Sequence, residues 1–159
     1  MRYTWDDGAV SLDGEPVART GEAFWSRTPA LEVDGEAWVF RIDPDGMRAE
    51  QSDGRTIVME RGAPWRARSR MAGPSGHVEL NRSTSWWLGK LHFDVERDGA
   101  VIGEVAPVGP WRYRPALELR EPLTHAEAVF LLWVAYRIDG SRPVRTLSGA
   151  PSASSPGGA

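Results

Sequence analysis

Arg66, Arg68 and Arg70 occupy alternate positions in the stretch WRARSRM, directly after Trp65 and shortly after Arg61. Alternate residues of an extended strand share one face. Three guanidiniums in a row repel one another unless an anion or acidic neighbours neutralise them, and the planar guanidinium fork suits phosphate. Arg112 and Arg114 repeat the alternation beside Trp111 and Tyr113. Arginine with tryptophan also matches a membrane interface, where both sit at headgroup depth. The chemistry on offer is recognition of a phosphate-bearing ligand or of anionic lipid headgroups. The plainer reading is a solvated outer strand face paired with acids on neighbouring strands.

Other groups offer less. In Trp86-Trp87-Leu88-Gly89-Lys90 adjacent residues face opposite sides of a strand, so one tryptophan points inward. The other covers a neighbouring strand or anchors a membrane or protein partner. His77, His92 and His125 have no metal-ligand spacing between them. Asp43-Pro-Asp45-Gly46 lacks the third acid and closing glutamate of a calcium loop and reads as a hairpin turn. Gly73-Pro-Ser75-Gly76 lacks nucleophile-elbow spacing, and no glycine-rich phosphate loop occurs. Asn81-Arg82-Ser83 matches a glycosylation sequon without a secretory signal to give it meaning. The acids scatter among turns. No catalytic residue, metal ligand or cofactor is expected. The leading expectation is a non-enzymatic binding module using Arg61, Trp65, Arg66, Arg68, Arg70, Arg112 and Arg114. The alternative is a protein-interaction or scaffold domain with exposed tryptophans as anchors. An enzyme with a polar pocket in a barrel mouth is the third class.

Composition narrows these classes. A chain of 159 residues, 41% hydrophobic and 26% charged, fits one soluble domain with a real core. The net charge of −3 provides no global basic field for nucleic acid. There is no cysteine, which excludes disulfides, thiolate catalysis and iron–sulfur clusters. The opening MRYTWDDGAV carries two acids and no apolar run, unlike a signal peptide. A cytoplasmic protein, peripheral to a membrane where it binds one, is the expectation. Eighteen of nineteen basic residues are arginine.

The elements that must carry these residues are short strands. Asp-Gly occurs seven times, supplying the positive φ values that tight hairpins need. Between the turns, Trp38, Phe40 and Ile42 alternate with Val39 and Arg41. Leu91, Phe93 and Val95 alternate with His92 and Asp94, and Val101, Gly103 and Val105 with Ile102 and Glu104. About eleven or twelve such strands precede residue 120. The chain changes character at Leu123. Thr124-His-Ala-Glu127 is a capping box, with Leu123 and Ala128 positioned as a hydrophobic staple. The run AVFLLWVAY, 128–136, carries no charge and is apolar on every side, so a helix over about 124–138 must be buried all round. At roughly 20 Å it is too short for a bilayer. A closed or nearly closed antiparallel barrel of about twelve strands around this helix hides it and removes exposed strand edges. A β-sandwich with a packed C-terminal helix is the alternative.

The segment SWWLGKLHFDVERDGAVIGEVAPVGPWRYRPALELREPLTHAEAVFLLWVAYRI, 85–138, resembles the tubby C-terminal-like superfamily. That superfamily also includes phospholipid scramblases and LURP-one-like proteins, and the likeness is greatest to its small actinobacterial members. The shared pattern is a Trp-rich strand, an Asp-Gly hairpin leading to Val-Ile-Gly, an aromatic-basic strand and a closing apolar helix. It covers about a third of the chain. The resemblance implies a twelve-stranded barrel around a central helix. The chain differs from scramblases in lacking a long apolar membrane segment and a cysteine-rich stretch, and from animal tubby domains in being shorter and nearly lysine-free.

FWSRTPALEV, 24–33, aligns without gaps to PWRYRPALEL, 110–119, with five identities in ten positions, which is either chance or two structurally equivalent strand pairs in a pseudo-symmetric sheet. Residues 1–140 read as a single domain. Residues 141–159, rich in Ser, Pro, Gly and Ala, read as a flexible tail.

Overall fold

A computed structural model describes residues 1–6, 8–60, 68–83, 92–108 and 114–140. The expected tail lies outside the described residues. Twelve antiparallel strands follow one another: β1 (Arg2–Asp6), β2 (Ala9–Leu12), β3 (Glu15–Arg19), β4 (Ala30–Val33), β5 (Glu36–Asp43), β6 (Gly46–Gln51), β7 (Thr56–Glu60), β8 (Arg68–Gly73), β9 (Gly76–Ser83), β10 (His92–Arg97), β11 (Ala100–Val108) and β12 (Arg114–Leu119). A 3-10 helix, Glu22–Trp25, interrupts the passage from β3 to β4, and the helix α1 (His125–Gly140) follows β12. Each strand pairs with the next, and β1 pairs with β12, so the sheet closes into a barrel rather than a sandwich.

Closure depends on residue chemistry at the β1–β12 seam. Arg2 lies opposite Glu118 and Tyr3 opposite Leu117, with Leu119 N–H donating to Met1 O at 2.8 Å. The ladder stops there. The next inward position of β12 is Pro115, which has no N–H to give β1. Arg120 N–H donates to Ile102 O, so Pro115 and the opposite Pro107 of β11 fall at a non-hydrogen-bonded position and neither strand loses a donor from their mutual ladder.

Because every connection reverses direction, the turns alternate between two rims. One rim holds the tight turns at Asp13-Gly14, Asp34-Gly35, Asp53-Gly54, Pro74-Ser75 and Asp98-Gly99. Asp13, Asp34 and Asp98 have φ of 50°, 51° and 51°, each before a positive-φ glycine, the geometry of two-residue hairpins. We call this the turn rim. The opposite, loop rim carries the 20–29 segment and the Asp43–Gly46 turn. Gly46 departs from the expectation for Asp-Gly, since its φ is not positive. It is required instead by closeness: a Cβ there would sit 2.1 Å from Met59 O.

Inward residues of all twelve strands join α1 in one buried core. Val10, Val33, Phe40, Ile57, Met59, Met71, Val78, Val95, Val105 and Leu117 are fully or almost fully buried. The alternation expected in β5 and β10 is observed at Trp38, Phe40, Phe93 and Val95. That expected in β11 breaks at its start. Val95 lies opposite Gly103 but Glu96 opposite Val101, a bulge that turns Ile102 inward and leaves Val101 43% exposed.

Residues 128–135 of α1 are all 0% exposed. Eight consecutive residues cover every side of a helix at 3.6 residues per turn, so α1 fills the lumen. It runs from the turn rim to the loop rim and extends two residues past the expected end. Its start is the capping box: Thr124 N–H donates to Glu127 Oε2 at 2.9 Å, and Glu127 N–H donates to Thr124 Oγ1 at 3.3 Å. Glu127 is wholly buried and also accepts from the backbone N–H and hydroxyl of Ser75 in the β8–β9 turn.

The two copies of Pro-Ala-Leu-Glu are alike in part, since Ala30 is exposed and Ala116 is buried. Each opens a strand leaving the loop rim, with Leu31 and Leu117 buried and Glu32 and Glu118 exposed.

Candidate functional site

Of the candidates named from sequence, Arg68, Arg70 and Arg114 lie in described strands. Arg61, Trp65, Arg66 and Arg112 lie outside the described residues, as do Trp86, Trp87 and Lys90. Arg68 and Arg70 do share the outer face of β8, flanking buried Ser69. Register sets Arg70 opposite Glu79 and Arg68 opposite Asn81. Arg70 Nη2 donates to Glu79 Oε1 at 3.0 Å, and Arg68 Nη2 lies 2.5 Å from Glu79 Oε2 and 3.9 Å from Glu96. The hydrogen bond from Arg70, with the charges of Arg68 and Arg70, holds the Glu79 carboxyl below its ordinary pKa. The barrel wall itself therefore neutralises these two arginines.

Arg114 sits differently. At the start of β12 it reaches the loop rim, its guanidinium 5.1 Å from the centre of the Trp5 ring and 3.9 Å from Asp6. Trp5 belongs to an aromatic chain across the barrel mouth. Its ring meets Trp25 edge-on at 5.4 Å, and Trp25 meets Tyr136 of α1 at 4.4 Å. Trp5 Nε1 donates to Thr20 Oγ1 at 2.9 Å, Trp133 Nε1 to Ser26 O at 3.0 Å and Arg137 Nη1 to Trp25 O at 3.4 Å. The 20–29 segment is thus fixed as a cover over the end of α1.

Further cations stand on the same rim. Arg27 is exposed on the 20–29 segment, and Arg82 is half-buried near the end of β9, in step with inward Val78 and Leu80. Neither has an ion-pair partner among the described residues. Arg19 ends β3 on the same rim and is exposed. Asp6, Asp43, Asp45 and Glu60 share the rim, but Asp43 is engaged by Arg41 at 3.5 Å and Arg48 at 3.4 Å. The groove beside that turn, about 450 Å³, is lined by both signs of charge.

Four of the turn rim's five hairpins present an aspartate: Asp13, Asp34, Asp53 and Asp98. His125 Nδ1 lies 2.8 Å from Asp34, and Arg55 Nε donates to Asp53 at 2.7 Å. Hydrogen bonds from the Arg55 backbone and side chain hold the Asp53 carboxyl below its ordinary pKa.

Among the described residues, no group of three His, Asp or Glu side chains is arranged to hold a metal ion, and no helix is long and apolar enough to cross a membrane. Asp43 and Asp45 form a hairpin turn, with Asp43 opposite Gly46. No family model, curated protein or solved structure matches the chain.

Sequence reading missed Arg27, Arg82 and the cover formed by 20–29. The signal was present in the topology. In an up-and-down meander every second connection shares an end, so counting strands assigns 20–29, Ser83 and Arg114 to one rim.

Proposed function

We propose that the protein is a non-enzymatic binding module that docks its loop rim on phosphate-bearing headgroups of an anionic membrane surface. The observation that carries this reading is the contact at the loop rim where the Arg114 guanidinium lies over Trp5, which leads through Trp25 to Tyr136, with Arg27 and Arg82 on the same rim and without an ion-pair partner among the described residues. Arginine and tryptophan together suit headgroup depth. Each arginine near an anionic membrane contributes about 1 kcal/mol, and the effect fades beyond roughly 8–10 Å at moderate salt. Arginines on one rim therefore act at a range where the net charge of −3 does not dominate. Arg61, Trp65, Arg66 and Arg112 belong to the proposal by sequence; Arg68 and Arg70, held by Glu79, contribute little to it. Membership of the tubby C-terminal-like superfamily is part of the same proposal, supported by the twelve-stranded barrel and its central helix.

The test is cosedimentation with vesicles of phosphatidylcholine alone and of phosphatidylcholine with phosphatidylglycerol, at low and high salt. Binding to the anionic vesicles at low salt, weakened by salt and by the combined change Arg27→Gln, Arg82→Gln and Arg114→Gln, supports the reading. Equal behaviour with both vesicles sinks it.

A further inference from the structure

The lumen is not apolar throughout. Trp38 of β5 and Gln51 of β6 are 3% and 9% exposed, and both side chains belong to the inward face. The indole Nε1 has no acceptor, and the amide Oε1 has no donor. One orphan is a pure donor and the other an acceptor, and the two residues stand directly opposite in the register.

The ladder geometry brings their side chains close. Phe40 N–H donates to Pro29 O, so the backbone of Phe40, and of Trp38 two residues before it, faces β4 rather than β6. Gln51 N–H donates to Arg55 O, so its backbone faces β7. Trp38 and Gln51 are therefore a non-hydrogen-bonded pair, the kind whose Cα atoms approach to about 4.5 Å. The Gln51 carbonyl is also used, accepting from Gly54 N–H at 3.0 Å. The backbone of Gln51 is thus engaged in its own turn and leaves the two side-chain orphans to each other.

A donor and an acceptor sealed from solvent on facing residues, yet not bonded to one another, match the two ends of a bridging molecule small enough to be enclosed. We propose that Trp38 and Gln51 hold one buried water between them, the indole N–H donating to it and the amide oxygen accepting from it. Such a water needs two to four polar partners, and these two supply the minimum. The bridge lies at the turn-rim end of β5 and β6. It is distinct from the aromatic packing one step along β5, where Phe40 meets Phe130 at 5.2 Å and Trp133 at 5.6 Å.

The direct measurement is nuclear magnetic resonance on the intact wild-type chain, with the Trp38 indole signal assigned by its loss in Trp38→Phe. A cross-peak between that N–H and a long-lived water, abolished in Gln51→Leu, is the expected result. An indole N–H with no water cross-peak overturns the proposal, whether it bonds the amide directly or stays unpaired. A double-mutant cycle gives a second reading. Trp38→Phe and Gln51→Leu should each lower the melting temperature, and the double variant should lie above the sum of the two losses. Strict additivity contradicts a shared bridge.

Discussion

Ser75 and Glu127 are 52 residues apart in sequence, and Ser75 gives the Glu127 carboxylate both its backbone N–H, at 2.9 Å, and its hydroxyl. This contact fastens a hairpin of the barrel wall to the first turn of the helix inside it. Gly73 makes the approach feasible, since a Cβ there would lie 2.5 Å from Glu127 Oε1. Hydrogen bonds to charged groups contribute about 1.5–3 kcal/mol each. Ser75→Ala should cost about that much in urea unfolding while leaving the far-ultraviolet circular dichroism unchanged. A loss below about 0.5 kcal/mol, the scatter expected of neutral surface changes, would show that the clasp is decorative.

The N-cap has a separate and smaller role. Thr124 Oγ1 accepts from Glu127 N–H and also lies 2.7 Å from Glu127 Oε2. Thr124→Ala should destabilise the domain by about 1 kcal/mol, the usual loss at such a position. Thr124→Ser, which keeps the hydroxyl, should recover most of it in the same denaturation experiment.

Gly103 is a steric requirement rather than a turn residue. Beside the β11 bulge, a Cβ on Gly103 would lie 2.3 Å from Glu118 O and 2.7 Å from a Leu119 methyl. The first is backbone and cannot swing aside. Gly103→Ala should therefore cost about 1–3 kcal/mol, as overpacking does. A melting temperature equal to wild type would mean that β11 and β12 are looser than their continuous ladder implies.

Acid should weaken the wall. Glu79 and Asp53 have folded-state pKa values held below their ordinary ones by arginine partners. Below the ordinary carboxylate value, about 4, the unfolded chain takes up these protons first, so stability falls as pH drops toward the folded values. Above that range the contribution is fully present and flat. Arg70→Gln removes the largest cause of the Glu79 shift and should shallow the acid limb of a melting-temperature profile. An unchanged slope would show that the Glu79 pairing is already lost in solution.

Much of this molecule was legible before any coordinates. The charge-free run 128–136 had to be enclosed, and Thr124 with Glu127 marked where the helix begins. Trp38, Phe40, Phe93 and Val95 announced their face through period two. Legibility failed where one residue answers to two neighbours. Val101 follows the alternation in sequence, but the bulge at Glu96 reverses it. Arg68 and Arg70 looked like an anion site because Glu79 and Glu96 come from strands whose register no local pattern encodes. Ser75 gave no signal at all, because its partner is chosen by the closure of the barrel.

The central claim is that the loop rim, and not the turn rim, meets an anionic membrane. The absence of cysteine makes single-cysteine labelling direct. An environment-sensitive fluorophore at Thr28→Cys, exposed on the loop rim, should shift to the blue with phosphatidylglycerol-containing vesicles at low salt and revert at high salt. The same fluorophore at Ser52→Cys, exposed on the turn rim, should not respond. A silent Thr28 label, or a response at Ser52 instead, would contradict the account.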